Sequence, residues 1–461
     1  MNAAKYQLGP QDLDKYGYVE EEFLISGKAD IYDEINGAIS VKTSDAPYTS
    51  RILVRRPKDV SKFSGNIVVG PMNPSTHVDL VDAWQNDWRY ITEHGDVYVG
   101  ITAKPIAIQS LKKFDPERYG SLTMTDTSQG CGGSIPPAST PVAGMENGLI
   151  WDMLTQLGLL LKSDSTPLKG FKAQYLYMSG GSQTGAYTIR YINSFHKMAK
   201  LPNGKPVYDG YLPFISAGMA PINQCAVGTG GSNSFTHDVG VPVIRIMSQT
   251  DFGGAPGSLG GGGALNARQP DSDDPKSPYR LYEVPGSSHV TLFGLGTFPR
   301  AEDFIKSGNT SFTYNCVEPQ GIDGRINAYI FDGALSNLDR WVRTGVAPPK
   351  ASRIEVVGVS AINDEYGNMR GGVRTPDVDV PIAAYIATST QKGSAGAGGG
   401  CNAMGHMVPF SPEELKRLYP THEDYVKKVN AEVDRMYSEG WLTKTDADQV
   451  KMDAANAHVP N

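Results

Sequence analysis

Through the first three quarters of the chain, short apolar runs alternate with longer stretches of helical spacing, the pattern of a mostly parallel sheet covered by helices. Strands are predicted at Arg51–Val54, Asn66–Val69, Val97–Ile101, Gln174–Met178, Gly210–Ile215, Pro242–Met247 and Arg280–Val284. Several of these runs are continuous rather than alternating, as expected of strands buried on both faces. Helices are predicted at Val81–Glu93, Glu146–Lys162, Thr184–Lys197 and Asn327–Arg343. In the third, Ala186, Ile189, Ile192 and Phe195 recur at near-helical spacing and make one apolar face. The fold class is α/β.

Three stretches break this rhythm, at 103–143, 217–239 and 252–278. Each follows the carboxyl end of a predicted strand, the edge at which open α/β sheets bind ligands, so they are expected to roof a pocket. The glycine runs Gly260–Gly263 and Gly393–Gly400 lack a following Lys-Ser/Thr pair and read as loops rather than phosphate cradles. A catalytic domain over 1–350 with these insertions, followed by a helical extension over 351–461, is the expected organisation. In the extension, Ser411-Pro412-Glu413-Glu414 is a capping box with proline at the first helical position. Thr421–Asp424 and Thr445–Asp448 repeat the start signal, and Gly440 ends the middle helix. These helices are expected to brace the core or to form a homo-oligomer contact.

The net charge of -7 comes without a block of like charges, which argues against nucleic acid and anionic membranes as partners. No run of about 18 apolar residues exists, and the amino terminus lacks an apolar signal core. The expectation is a soluble protein, either cytoplasmic or exported after loss of a leader. Cys131, Cys225, Cys316 and Cys401 lie far apart without a C-x-x-C pair, so a zinc site is not expected. Free thiols and one or two disulfides both remain open.

Chemistry concentrates at Tyr177-Met178-Ser179-Gly180-Gly181-Ser182-Gln183-Thr184-Gly185-Ala186, where a strand-like run meets a serine among small residues and then a helix. This is the shape of a nucleophile elbow, bent in that Thr184 stands where a glycine is usual and Gly185 follows it. A serine nucleophile needs a base and an acid to orient that base, and both follow in the chain. Asp251 leaves the Val241–Ser248 strand, and His289 leaves the Arg280–Val284 strand in the loop Pro285-Gly286-Ser287-Ser288-His289. Asp238 and Glu283 are the alternative acids. The oxyanion donors are expected to be the backbone N–H of Gln183 and that of Met72 or Asn73, because Pro71 and Pro74 have none. His77 and His237 fall in loops that could touch substrate. The run Asp271-Ser272-Asp273-Asp274 lacks calcium-loop spacing and reads as a solvated turn.

The elbow, Asp115–Leu122, Ala267–Ser272, Leu338–Val342, Gly371–Pro381 and Leu418–Val426 together resemble a group of bacterial and fungal α/β-hydrolase domain proteins with a Ser-Gln elbow. The resemblance covers most of the chain. It implies an α/β-hydrolase fold with a carboxyl-terminal extension in the same unit, Ser182 as nucleophile and His289 as base. The chain departs from the pattern at Gly181 and at Ser287-Ser288. Hydrolysis of a small-molecule carboxylic ester through an acyl-enzyme, with no metal or organic cofactor, is the expected activity. Acyl transfer, amide or lactone cleavage with the same residues, and a non-catalytic binding protein on a hydrolase scaffold are the alternatives.

Overall fold

The computed structural model describes residues 12–128, 130–131, 141–216, 218–226, 238–252, 265, 268–291, 299–310, 315–318, 321–322, 325–393 and 400–460. The chain forms two compact units, the first made of Met1–Pro242, Pro275–Ser277 and Gly296–Thr313, the second of Val243–Asp274, Pro278–Leu295 and Tyr314–Asn461.

The first unit begins with a long hairpin of β1 (Tyr18–Ile35) and β2 (Ala38–Pro57). Asn36 and Gly37 turn it, both at positive φ (52° and 79°), as a two-residue turn matched to strand twist requires. Cross-strand ion pairs fix its register: Arg55 Nε with Glu20 at 3.0 Å, Arg56 Nε with Glu21 at 2.6 Å and Arg51 Nη1 with Glu22 at 3.3 Å. The Arg55 guanidinium lies over the Trp84 ring at 4.5 Å, which shelters a fully buried charge.

After the hairpin come β3 (Asn66–Met72), α1 (Asp82–His94), β4 (Val97–Thr102), α2 (Pro105–Phe114) and the two-residue β5 (Thr123–Met124). Then follow α3 (Ile150–Lys162), β6 (Tyr175–Gly181), α4 (Gln183–Ser194) and β7 (Gly210–Phe214). The strand order in this unit is β1-β2-β4-β3-β6-β7, with β5 on β2. The first three pair antiparallel, and β4, β3, β6 and β7 run parallel. All of β3 and β4 is buried, which accounts for their continuous apolar runs.

The second unit contributes β8 (Val243–Ser248) and β9 (Tyr279–Val284), paired parallel from Val243 with Tyr279 to Ser248 with Val284. The helix α5 (Arg325–Thr344) follows, then the small hairpins β10 (Val356–Val357) with β11 (Ser360–Ala361) and β12 (Ala383–Ile386) with β13 (His406–Pro409). The chain ends in α6 (Pro412–Leu418), α7 (His422–Ser438) and α8 (Lys444–Asn456). Trp441, between the last two helices, packs edge-on against Tyr282 at 5.0 Å, so the extension belongs to the core of this unit.

Elements predicted from the pattern recur within a few residues, with two corrections. The strand expected at Arg51–Val54 is one end of a 20-residue strand. Part of the stretch 103–143 is regular, holding α2 and β5. Of the insertions, 132–140, 227–237 and 253–264 lie outside the described residues, as do His237 and the glycine run at 260–263. The Thr421 box forms with both reciprocal bonds, whereas α8 is capped by Thr443 through the Asp446 N–H rather than by Thr445. Among the described residues no helix is long and apolar enough to cross a membrane.

The four cysteines form two disulfides, Cys131–Cys225 in the first unit and Cys316–Cys401 in the second, closing chain segments of 94 and 85 residues. Loops of this size cost the unfolded chain about 4 to 5 kcal/mol of closure entropy per bond. Replacing Cys316 and Cys401 by serine together is therefore expected to lower the unfolding free energy of the second unit by several kcal/mol in urea titration. An unchanged midpoint and slope would contradict this.

Candidate active site

Ser182 ends β6 and starts α4 at φ 53° and ψ -119°, a conformation that costs a non-glycine residue about 1 to 3 kcal/mol. Its neighbours explain how the turn is held. A Cβ on Gly180 would meet the Thr184 carbonyl oxygen at 2.4 Å, one on Gly181 the Phe214 ring at 2.2 Å, and one on Gly185 the Phe214 carbonyl oxygen at 2.6 Å. Strand and helix thus pack on each other at Gly180 and on the end of β7 at Gly181 and Gly185, with no room for side chains at these three positions. The bent motif is explained here as well. Thr184 is tolerated because its hydroxyl turns back to donate to the Gly181 carbonyl at 2.9 Å, and Gly185 supplies the close approach instead.

The Ser182 side chain does not cap α4, so the first N–H groups of the helix, Gln183 among them, point out of its end without an intrahelical acceptor. The loop after β3 is tied to this turn by Asn73, whose Nδ2 donates to Asp82 at 2.6 Å and to the Gly181 carbonyl at 3.3 Å. The Asn73 backbone N–H donates to the Leu80 carbonyl at 2.8 Å. Of the two amides expected as alternatives, Met72 and Asn73, that of Asn73 closes the loop.

In the second unit, the turn after β8 carries Asp251 and the loop after β9 carries His289, and the structure brings the two together. His289 Nδ1 and Asp251 Oδ1 are 2.7 Å apart, with 14% and 5% of the side chains exposed. Ser248, not singled out from sequence, donates its hydroxyl to Asp251 Oδ2 at 2.5 Å, so each carboxylate oxygen has a fixed partner. The histidine loop is pinned at several points. Gln249 Oε1 accepts the Gly286 N–H at 2.7 Å, the Ser287 hydroxyl donates to the Val284 carbonyl at 2.6 Å, and Asn327 Nδ2 donates to the Ser288 carbonyl at 3.0 Å. The serines preceding His289 thus serve the loop's geometry.

The competing candidates are occupied elsewhere or stand apart. Glu283 forms a two-pronged pair with Arg268, 2.7 Å on each arm, and accepts the Ile354 N–H, a structural role. Asp238 is exposed. His196 is held between Tyr211 and the Val239 carbonyl, and burial pushes its ring down to about 4, so it stays neutral. His94 faces Asp96, and His422 faces the carbonyls of Ala455 and Val459.

A parallel sheet with helices, a strained serine at a strand-to-helix turn, and an Asp–His pair on later strand ends define an α/β-hydrolase. The chain belongs to the alpha/beta hydrolase domain family, whose model matches residues 1–452. No curated protein matches it. Among solved structures, it is 11% identical to poly(aspartic acid) hydrolase-1 of Sphingomonas sp. KT-1, with 62% of this chain and 97% of that one covered at a TM-score of 0.32. Fungal esterases of Rhizomucor miehei give 10% identity, 65% and 88% coverage and a TM-score of 0.33. A lidless serine hydrolase of Xanthomonas campestris gives 12%, 58% and 86%, and 0.28. At such identities and TM-scores the likenesses carry no argument about substrate.

Gly181→Ala must displace the Phe214 ring, and overpacking of this kind costs about 1 to 3 kcal/mol. Denaturant unfolding is expected to register that loss. Wild-type stability in the variant would mean that the elbow is not packed as described.

Proposed function

We propose that the protein hydrolyses a carboxylic ester through an acyl-enzyme, with Ser182 as nucleophile, His289 as general base and then acid, and Asp251 as the residue that orients the imidazole. The observation that carries this reading is the conformation of Ser182, a strained turn that a structural serine has no reason to hold. The Asp251–His289 bond adds to it. A proton on Nδ1, donated to the carboxylate, leaves Nε2 as the basic nitrogen.

In the reaction, His289 Nε2 takes the Ser182 hydroxyl proton as Oγ bonds to the ester carbonyl carbon, and the carbonyl oxygen becomes the oxyanion. The Gln183 N–H, at the positive end of α4, and the Met72 N–H are the assigned donors, since the Asn73 amide is committed. Collapse breaks the bond to the alkoxy group, which leaves with the proton from His289. Water, deprotonated by the same nitrogen, then releases the acid and restores Ser182. No step calls for a metal or an organic cofactor.

Ser182→Ala is expected to abolish hydrolysis of p-nitrophenyl butyrate while leaving the circular dichroism spectrum unchanged. Asp251→Asn should lower kcat by about four orders of magnitude by favouring the wrong imidazole tautomer. A Ser182→Ala variant with full turnover would refute the assignment.

A further inference from the structure

In the first unit, the parallel strands β4, β3 and β6 end in register. Thr102 pairs with Met72, and continuing the pairing of Val69 with Met178 sets Met72 level with Gly181. One residue beyond Gly181 is Ser182, and two beyond Thr102 is Lys104. Strands lie about 4.8 Å apart, so β4 is about 10 Å from β6 across the sheet. Lys104 therefore stands at the same rim as the nucleophile, on the side of the sheet edge where ligands of open α/β folds bind.

Lys104 is only 3% exposed, yet among the described residues its ammonium makes no hydrogen bond or ion pair. Burial alone pushes it down to about 8, with no neighbouring charge contributing. Other buried cations of this unit are paired: Arg51 with Asp79 and Glu22, Arg190 with Glu34, Arg55 with Glu20. A cation on a largely buried side chain without a counter-charge is stabilised by an anion that reaches it. Lys104 also precedes α2, ten residues long, whose amino end adds positive potential at the same place.

We infer that Lys104 is the counter-charge for a carboxylate on the substrate, so that the preferred esters are half-esters or similar molecules carrying an anion a few bonds from the scissile carbonyl. This rests on the ester-hydrolase reading above. The roughly 10 Å between the two strand ends is a span that an anion a few bonds from the scissile carbonyl and a flexible four-carbon lysine stem would share. Lys104 binds and selects; it takes no part in bond making.

The test compares kcat/KM for monomethyl succinate with dimethyl succinate, and for O-acetylglycolate with its ethyl ester, so that the anion is offered on the acyl side and on the alcohol side. Wild-type protein is expected to prefer the anionic member of at least one pair by tenfold or more. In Lys104→Met that ratio should fall by at least tenfold, and in Lys104→Arg it should be largely kept. Calorimetric titration of succinate into the wild-type protein and into Ser182→Ala should give saturable binding in both and none in Lys104→Met. An unchanged ratio in Lys104→Met, or no succinate binding by the wild type, would overturn the inference. Succinate binding without turnover of any ester would leave the anion site standing and sink the hydrolase reading instead.

Discussion

One constraint organises the account: a serine held at positive φ by backbone packing too tight to admit side chains on either side. A conformation of that cost persists only where the surroundings over-determine it. Here they consist of Gly180 and Gly181 on the strand, Gly185 on the helix, and Phe214 at the end of the neighbouring strand. The strain is then a means of presenting Oγ at the head of the helix that follows. The side chain of Asn73 ties the loop beside this turn to it by joining Asp82 to the Gly181 carbonyl.

The second unit solves a different problem, the orientation of an imidazole. Asp251 is buried, and both of its oxygens are engaged, one by His289 and one by Ser248. The loop bearing His289 is held by Gln249, Asn327 and its own serines, and the ring is held by its bond to Asp251. A carboxylate fixed in this manner sets the tautomer of the histidine. That makes the pair suited to accept a proton at the outer nitrogen and to return it.

Much of this was legible in the chain because it depends on local periodicity and chain order. The parallel strands are continuous apolar runs, and Ser182, Asp251 and His289 each follow one of them. The β1–β2 hairpin escaped because β1 carries Glu, Asp, Lys and Gly through its length, with Glu20, Glu21 and Glu22 paired across the strands to Arg55, Arg56 and Arg51 and Glu34 paired to Arg190 of α4. Its Asn36-Gly37 turn was the available signal. Between Met72 and Asn73 the sequence offered no choice, because the bond from the Asn73 N–H to Leu80 depends on how the loop closes. Thr443 and Thr445 both head an identical cap signature, and only the start of the helix distinguishes them. Lys104 was invisible because burial without a partner leaves no mark on a sequence, least of all in a stretch expected to be irregular. The disulfide pairing depends on which distant cysteines meet in space.

The central claim is that His289, oriented by Asp251, activates Ser182. Mass-spectrometric mapping of fluorophosphonate labelling in the wild type, His289→Ala and Asp251→Asn tests it most directly. The account predicts rapid labelling at Ser182 in the wild type, near-complete loss in His289→Ala and strong slowing in Asp251→Asn. Labelling at another serine, or equal labelling of Ser182 in all three proteins, would contradict it.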